Sequence, residues 1–114
     1  MKTGIDITLI NRFSNISESF LKKNFTDNEI NYIKKTNNNA QTIAGIYSAK
    51  EAFLKAIKKG ISDYCLKSIE INHENCGSPF IKLYGIIESD ISYSQIDVSI
   101  SHDGDYAIAI VTIL

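Results

Sequence analysis

No stretch of the sequence is long or apolar enough to span a membrane. The first twelve residues, broken by Asp6 and Arg12, hold no uninterrupted apolar core of a secretory signal. A soluble, cytoplasmic protein with no membrane partner is expected. Cysteine is scarce: Cys65 and Cys76 match no metal-ligand spacing, and in a reducing compartment they stay free thiols. Neither sign of charge is in excess, since twelve basic residues face thirteen acidic ones. So weak an overall field argues against nucleic acid as a partner and turns attention to local charge. Repeats and linkers are missing as well, so residues 1–114 are expected to form one domain with one active site at most.

What is present gathers around one segment. From about Ala40 to Lys59 there is no proline, and the apolar spacing predicts the longest helix of the chain. On a wheel of about 100° per residue, Ile43, Ile46, Tyr47, Phe53, Leu54 and Ile57 form a broad face with Lys50 near its middle, an unusual place for a lysine. Gly45, Ala49, Ala52 and Ala56 form a second face of small residues, against which another backbone or a ligand can come close. Between the faces stand Glu51 and Lys55, one turn apart. That spacing suits a solvated salt bridge, with the Lys50 stem snorkelling to water, as well as it suits a placed site. Gly60 is expected to stop the helix as a left-handed residue, with Lys58 and Lys59 complementing the dipole.

Around this helix the sequence predicts strands and short helices. Lys2 to Leu9 alternates, with Ile5, Ile7 and Leu9 on one face and Gly4, Asp6 and Thr8 on the other, the pattern of a half-buried strand. Asn11 is placed to cap a short helix carrying Arg12, Phe13, Ile16 and Phe20 and ending at Lys22-Lys23. Thr26 with Glu29 makes a capping box and Phe25 with Ile30 a hydrophobic staple, so a helix starts there and ends near Lys34-Lys35, before the polar loop Thr36 to Asn39. Ile69 to His73 reads as a strand, Gly77-Ser78-Pro79 as a turn, Phe80 to Tyr84 as a second strand and Gly85 to Tyr93 as a short helix. Ile96 to Ser101 alternates, Tyr106 to Ile113 is apolar on both faces like a central strand, and Asp103-Gly104 joins them as a hairpin with His102 at the rim.

The candidates for chemistry are therefore Asp6, Lys50, Glu51, Lys55 and His102. Two carboxylates suit a hard cation such as magnesium, which keeps several waters and takes further ligands from substrate phosphates. Nearby lysines then read as phosphate neutralisers and a loop histidine as a donor to a further phosphate. Ordinary surface charges and a turn histidine account for the same residues, and spacing alone leaves both accounts open.

Gly4-Ile5-Asp6, Tyr47-Ser48-Ala49-Lys50-Glu51-Ala52-Phe53-Leu54-Lys55 and Ser99-Ile100-Ser101-His102 together resemble the pattern of the 4′-phosphopantetheinyl transferases over almost the whole chain. The short length, Gly77-Ser78-Pro79 before a strand and the terminal hairpin are most similar to the bacterial holo-acyl-carrier-protein synthase subgroup. The resemblance implies an α+β fold, an antiparallel sheet packed on one long helix plus short helices, assembled as a homotrimer with coenzyme A at each subunit interface. It implies transfer of 4′-phosphopantetheine from coenzyme A to a serine of apo-acyl carrier protein, in support of fatty acid biosynthesis. Asp6 and Glu51 would be the magnesium ligands, with Glu51 or a metal-bound water as the base. Lys55 would neutralise the pyrophosphate, and Lys50 would stand on the phosphate side or be structural. His102 would contact the adenosine 3′-phosphate and Pro79 would flank the adenine. Arg12, the chain's only arginine, would meet the acidic carrier protein, and Lys22 and Lys23 would extend that basic face. The chain departs from the pattern at Ile46, where many bacterial members have an arginine near the 3′-phosphate, at Lys58, which replaces a usual glycine, and at Asn75-Cys76, which suggests a longer turn. A coenzyme A or carrier-binding module without catalysis, and a structural oligomer subunit, are the other classes to weigh.

Overall fold

Capping signals and strand alternation divide the chain, described over residues 1–37 and 39–114 of a computed structural model, into elements close to those expected. Asn38, in the predicted polar loop, lies outside the described residues. β1 (Lys2–Leu9) leads through a 3₁₀ turn (Ile10–Phe13) to α1 (Glu18–Asn24), α2 (Asp27–Lys34) and α3 (Asn39–Ala56). A second 3₁₀ turn (Leu66–Ser68) precedes β2 (Ile69–His73), β3 (Pro79–Leu83), α4 (Gly85–Asp90), β4 (Ile96–Asp103) and β5 (Tyr106–Ile113). β1, β5 and β4 form an antiparallel sheet with β5 in the centre, and β2 pairs with β3 in a separate hairpin. This α+β arrangement lays α3 across the three-stranded sheet, mainly against β1 and β5.

Small residues make that crossing close. A methyl group at Gly4 would overlap the Ala52 carbonyl and approach the Ala56 amide nitrogen to 2.6 Å, so β1 meets α3 backbone to backbone. Ala49, Ala52 and Ala56 are buried on that side, while Ile46, Phe53 and Leu54 fill the core with Ile71, Ile87 and Val111. The capping box of α2 forms as expected, with Thr26 Oγ1 accepting from Glu29 N at 3.2 Å and Glu29 Oε1 accepting from Thr26 N at 2.8 Å.

β1 is half-buried as expected, and the buried half is Gly4, Asp6 and Thr8, whereas Ile5, Ile7 and Leu9 face outward. Three expectations are corrected. The helix expected after Asn11 is two elements: Arg12 and Phe13 lie in the 3₁₀ turn, and α1 starts afresh with Ser17 Oγ accepting from Phe20 N. α3 ends at Ala56, and its left-handed stop is Lys58 with φ 61°, not Gly60. Lys59 N donates to Leu54 O at 2.8 Å and Lys58 N to Lys55 O at 3.0 Å, the paired bonds of a Schellman cap on a residue with a full side chain. In the β4–β5 hairpin, Asp103 pairs with Tyr106, so the two-residue loop is Gly104-Asp105, with Gly104 supplying the positive φ of 57°.

Candidate active site

The close crossing at Gly4 fixes where the next inward residue of β1 sits. Asp6 is presented beside the last turns of α3, and Lys55 Nζ lies 3.0 Å from its Oδ1. The lysine is half-exposed, with 52% of its side chain open to solvent, and the aspartate is mostly covered at 12%, so this pair stands at the edge of solvent. Thr8, two residues on along the same strand face, donates from Oγ1 to Asp6 Oδ2 at 3.0 Å. Ser48 Oγ on α3 donates to Thr8 Oγ1 at 2.7 Å.

Glu51, one turn before Lys55, points to the same place. Burial and, second, the charge of Asp6 push its carboxyl above the usual carboxylate value, against Lys55, the Tyr47 hydroxyl and Arg12. Its Oε1 is buried and has no hydrogen-bond partner among the described residues. An orphaned carboxylate oxygen beside a second carboxylate is what a hard cation would complete. Among the described residues no group of three or more His, Cys, Asp or Glu side chains could hold a metal. The protein offers two carboxylates, the number magnesium takes when phosphates and water supply the rest.

Arg12 borders this group. Its guanidinium carbon lies 5.4 Å from the Tyr47 ring centroid and 5.5 Å from that of Phe13, and the two rings are 5.2 Å apart. The arginine is thus seated on two aromatic faces rather than projecting freely. Lys22 and Lys23 occupy the last turn of α1, a separate element.

Pro79 and His102 meet elsewhere along α3. They line a cavity of about 160 Å³ with Gly45, Ile46, Tyr32 and His73. Gly45 leaves room there: a Cβ would come 2.8 Å from His102 Nε2 and 3.0 Å from Ile100 Cγ2, so the imidazole would have to shift. Tyr32 and His73 stack at 3.8 Å between centroids with an interplanar angle of 1°. His73 pairs across the β2–β3 hairpin with Pro79, and burial lowers its pKa below the usual histidine value. Alternation marked His73 only as a sheet residue, and nothing in the sequence links it to Tyr32. From Gly45 to Glu51 is six residues, about 9 Å along a helix axis. The cavity and the carboxylate pair are therefore stations on one helix.

Lys50 is the residue that the structure does not bring to the site. It is fully buried, with Nζ 2.8 Å from Glu29 Oε1, 2.7 Å from Leu66 O and 3.3 Å from Asn24 O. Glu29 also accepts from Ile71 N at 2.8 Å, so the pair ties α2, α3 and β2 together. Burial pushes the Lys50 ammonium down and the Glu29 carboxyl up from their usual values, against the attraction between them. The phosphate-side role is corrected on this ground: a lysine sealed among three acceptors has no face left for a phosphate.

The arrangement is thus a carboxylate from β1, a carboxylate and a lysine from α3, and a cavity about 9 Å away along the same helix. The chain belongs to the 4′-phosphopantetheinyl transferase superfamily, whose profile matches residues 2–111. It is similar to the holo-[acyl-carrier-protein] synthase of Caldicellulosiruptor bescii, 40% identical over 112 residues, covering 94% of this chain and 92% of the relative. The corresponding synthase of Clostridium acetobutylicum is 41% identical, covering 93% and 90%. Among solved structures, the Helicobacter pylori holo-[acyl-carrier-protein] synthase in complex with coenzyme A superposes with a TM-score of 0.87 at 30% identity, covering 98% of this chain and 99% of that one. The Bacillus anthracis synthase in complex with coenzyme A (3′,5′-ADP) gives 0.82 at 30% identity, covering 98% and 94%.

Proposed function

We propose that the chain is a holo-[acyl-carrier-protein] synthase that transfers 4′-phosphopantetheine from coenzyme A to a serine of apo-acyl carrier protein, releasing adenosine 3′,5′-bisphosphate. The observation that carries this reading is the carboxylate pair with its orphaned Glu51 oxygen and Lys55 alongside, in a chain similar throughout to proteins of that name.

Asp6 and Glu51 would hold magnesium, which when bound neutralises the pyrophosphate and polarises its phosphorus–oxygen bonds. Lys55, released from Asp6 as the ligand enters, places its ammonium against the pyrophosphate. The cavity between Pro79 and His102 receives the adenosine end, with His102 toward the 3′-phosphate. The carrier serine oxygen attacks the β-phosphorus, the bond from that phosphorus to the bridging oxygen breaks, and adenosine 3′,5′-bisphosphate leaves with the electron pair. Glu51 is the carboxylate placed to receive the serine proton, directly or through a metal-bound water. Arg12, held on its two rings, meets the acidic carrier, and Lys22 and Lys23 steer it from farther away. The oligomer is proposed to be a homotrimer with each site completed by a neighbour, and the setting cytoplasmic fatty acid biosynthesis. No helix among the described residues is long and apolar enough to cross a membrane.

Incubation of apo-acyl carrier protein with the protein, coenzyme A and magnesium, followed by intact-mass spectrometry, tests the reading. Addition of one phosphopantetheine mass is expected, abolished by a chelator and in folded Asp6→Ala and Glu51→Ala proteins. An unmodified carrier would reject the enzyme, and full activity in either variant would reject the metal assignment.

A further inference from the structure

Both oxygens of Asp6 are engaged: Oδ1 by Lys55 and Oδ2 by Thr8, which itself accepts from Ser48. Ser48 is fully buried and Thr8 only 2% exposed, so the two hydroxyls run from beneath α3 to the carboxylate with each donor aimed at the next group. Hydroxyls in such a place are not demanded by stability. Burying them has a desolvation cost that a valine and an alanine of similar shape would avoid, and replacing both partners of a buried bond is often nearly neutral. Their arrangement instead polarises each bond toward Asp6 and fixes the side chain's rotamer.

We propose that Thr8 and Ser48 are positioning residues that orient Asp6 for the divalent cation. The inference rests on the metal reading above and extends it to two residues that touch neither substrate nor cation. Lys55 is the changeable partner, half-exposed and free to turn to a phosphate, whereas the hydroxyl relay is internal and stays with Asp6 when Lys55 leaves. Hydrogen-bonded supports of this kind are worth about 10- to 100-fold in metal affinity.

The test uses Mn²⁺ as the probe, titrated into the full-length protein with coenzyme A but without carrier, so that no turnover occurs and free Mn²⁺ is read by electron paramagnetic resonance. Thr8→Val is expected to weaken Mn²⁺ binding about tenfold, Thr8→Ser to restore it, and Ser48→Ala to weaken it about threefold. In the Thr8→Val background Ser48→Ala should add nothing, because Ser48 acts only through Thr8. Thr8→Val, which leaves the buried Ser48 hydroxyl unpaired, should lower the metal-free melting temperature by several degrees, and the Thr8→Val, Ser48→Ala double variant should recover most of that loss while its Mn²⁺ affinity stays low. Asp6→Asn is the reference arm. If it loses Mn²⁺ while Thr8→Val binds normally, the positioning role is overturned and the metal reading stands; if it also binds normally, both fall. Should Thr8→Val not fold, Ser48→Ala carries the decision, since alanine suits a helix interior, and unchanged affinity in that variant overturns the proposal.

Discussion

Asp6 and Glu51 bring two like charges together from different elements, and the fold sustains this at the expense of the Glu51 carboxylate. Burial and the neighbouring Asp6 raise its pKa above 4.5, so in metal-free protein the folded state holds the Glu51 proton more tightly than the unfolded chain does. Stability from this group is therefore full below pH 4.5 and lost as pH rises through the raised folded value. Glu51→Gln, which carries no charge, should melt higher than the unsubstituted protein in metal-free buffer at about pH 7.5, with the gap narrowing as pH falls. With magnesium and coenzyme A the order should reverse, because only the carboxylate gains from ligand binding. Scanning fluorimetry across pH checks both halves, and a Glu51→Gln protein that melts lower in chelator would contradict the like-charge argument. Asp6, Glu51 and Lys55 were legible in the sequence because a family pattern names them. Lys50 stands in the same pattern, yet a helical wheel reports a face and not what lies opposite. Its partner Glu29 was visible only as a cap, while its second oxygen and Lys50 bind the core together.

At the level of elements, helix starts were read better than helix ends. Thr26 and Glu29 announce α2 through side chains, whereas the end of α3 is a backbone event on a residue that carries no stop signal. Lys58 holds the left-handed conformation that glycine would take at about 1–2 kcal/mol less conformational strain. Some of that advantage is offset by glycine's greater freedom in the unfolded chain. Lys58→Gly should therefore stabilise the protein by about 0.5–1 kcal/mol, a rise in melting temperature of about 2–4 °C. Urea unfolding at constant m-value is the measure, and a destabilised Lys58→Gly protein would mean that the lysine side chain makes an interaction worth more than the strain. The β1 strand shows the complementary limit. Its alternation was legible as two faces, but the choice between them was set by Gly4, the one residue small enough to meet the α3 backbone. That contact carries Asp6 inward with it and turns the isoleucines out.

The consequence for the whole molecule is an apolar sheet face left exposed among the described residues. Ile5, Ile7 and Leu9 pair in register with Ile110, Ile108 and Tyr106, so their side chains share the face directed away from α3. Ile7 is 61% exposed, and Ile5, Leu9, Tyr106 and Ile110 are each more than two-fifths exposed. A contiguous patch of this kind on a chain of nearly balanced charge marks an interaction surface. A second and third copy of the chain are the proposed occupants. Asp6 points to the opposite face, but β1 is the edge strand of its sheet, so a neighbour seated on Ile5 and Ile7 and reaching round that edge would come to the carboxylate pair and couple oligomer state to catalysis. Ile7→Glu should then shift the mass in solution from about 38 kDa, three chains of 12.7 kDa each, to that of one chain. It should also remove transferase activity while leaving Asp6, Glu51 and Lys55 in place. Ile86→Glu, at a 72% exposed position on α4, is the control and should alter neither. Light scattering coupled to size exclusion, with intact-mass assays on the same fractions, separates the outcomes. A single-chain Ile7→Glu protein that keeps full activity would make the site complete within one subunit, and one that keeps the trimer mass would place the interface elsewhere.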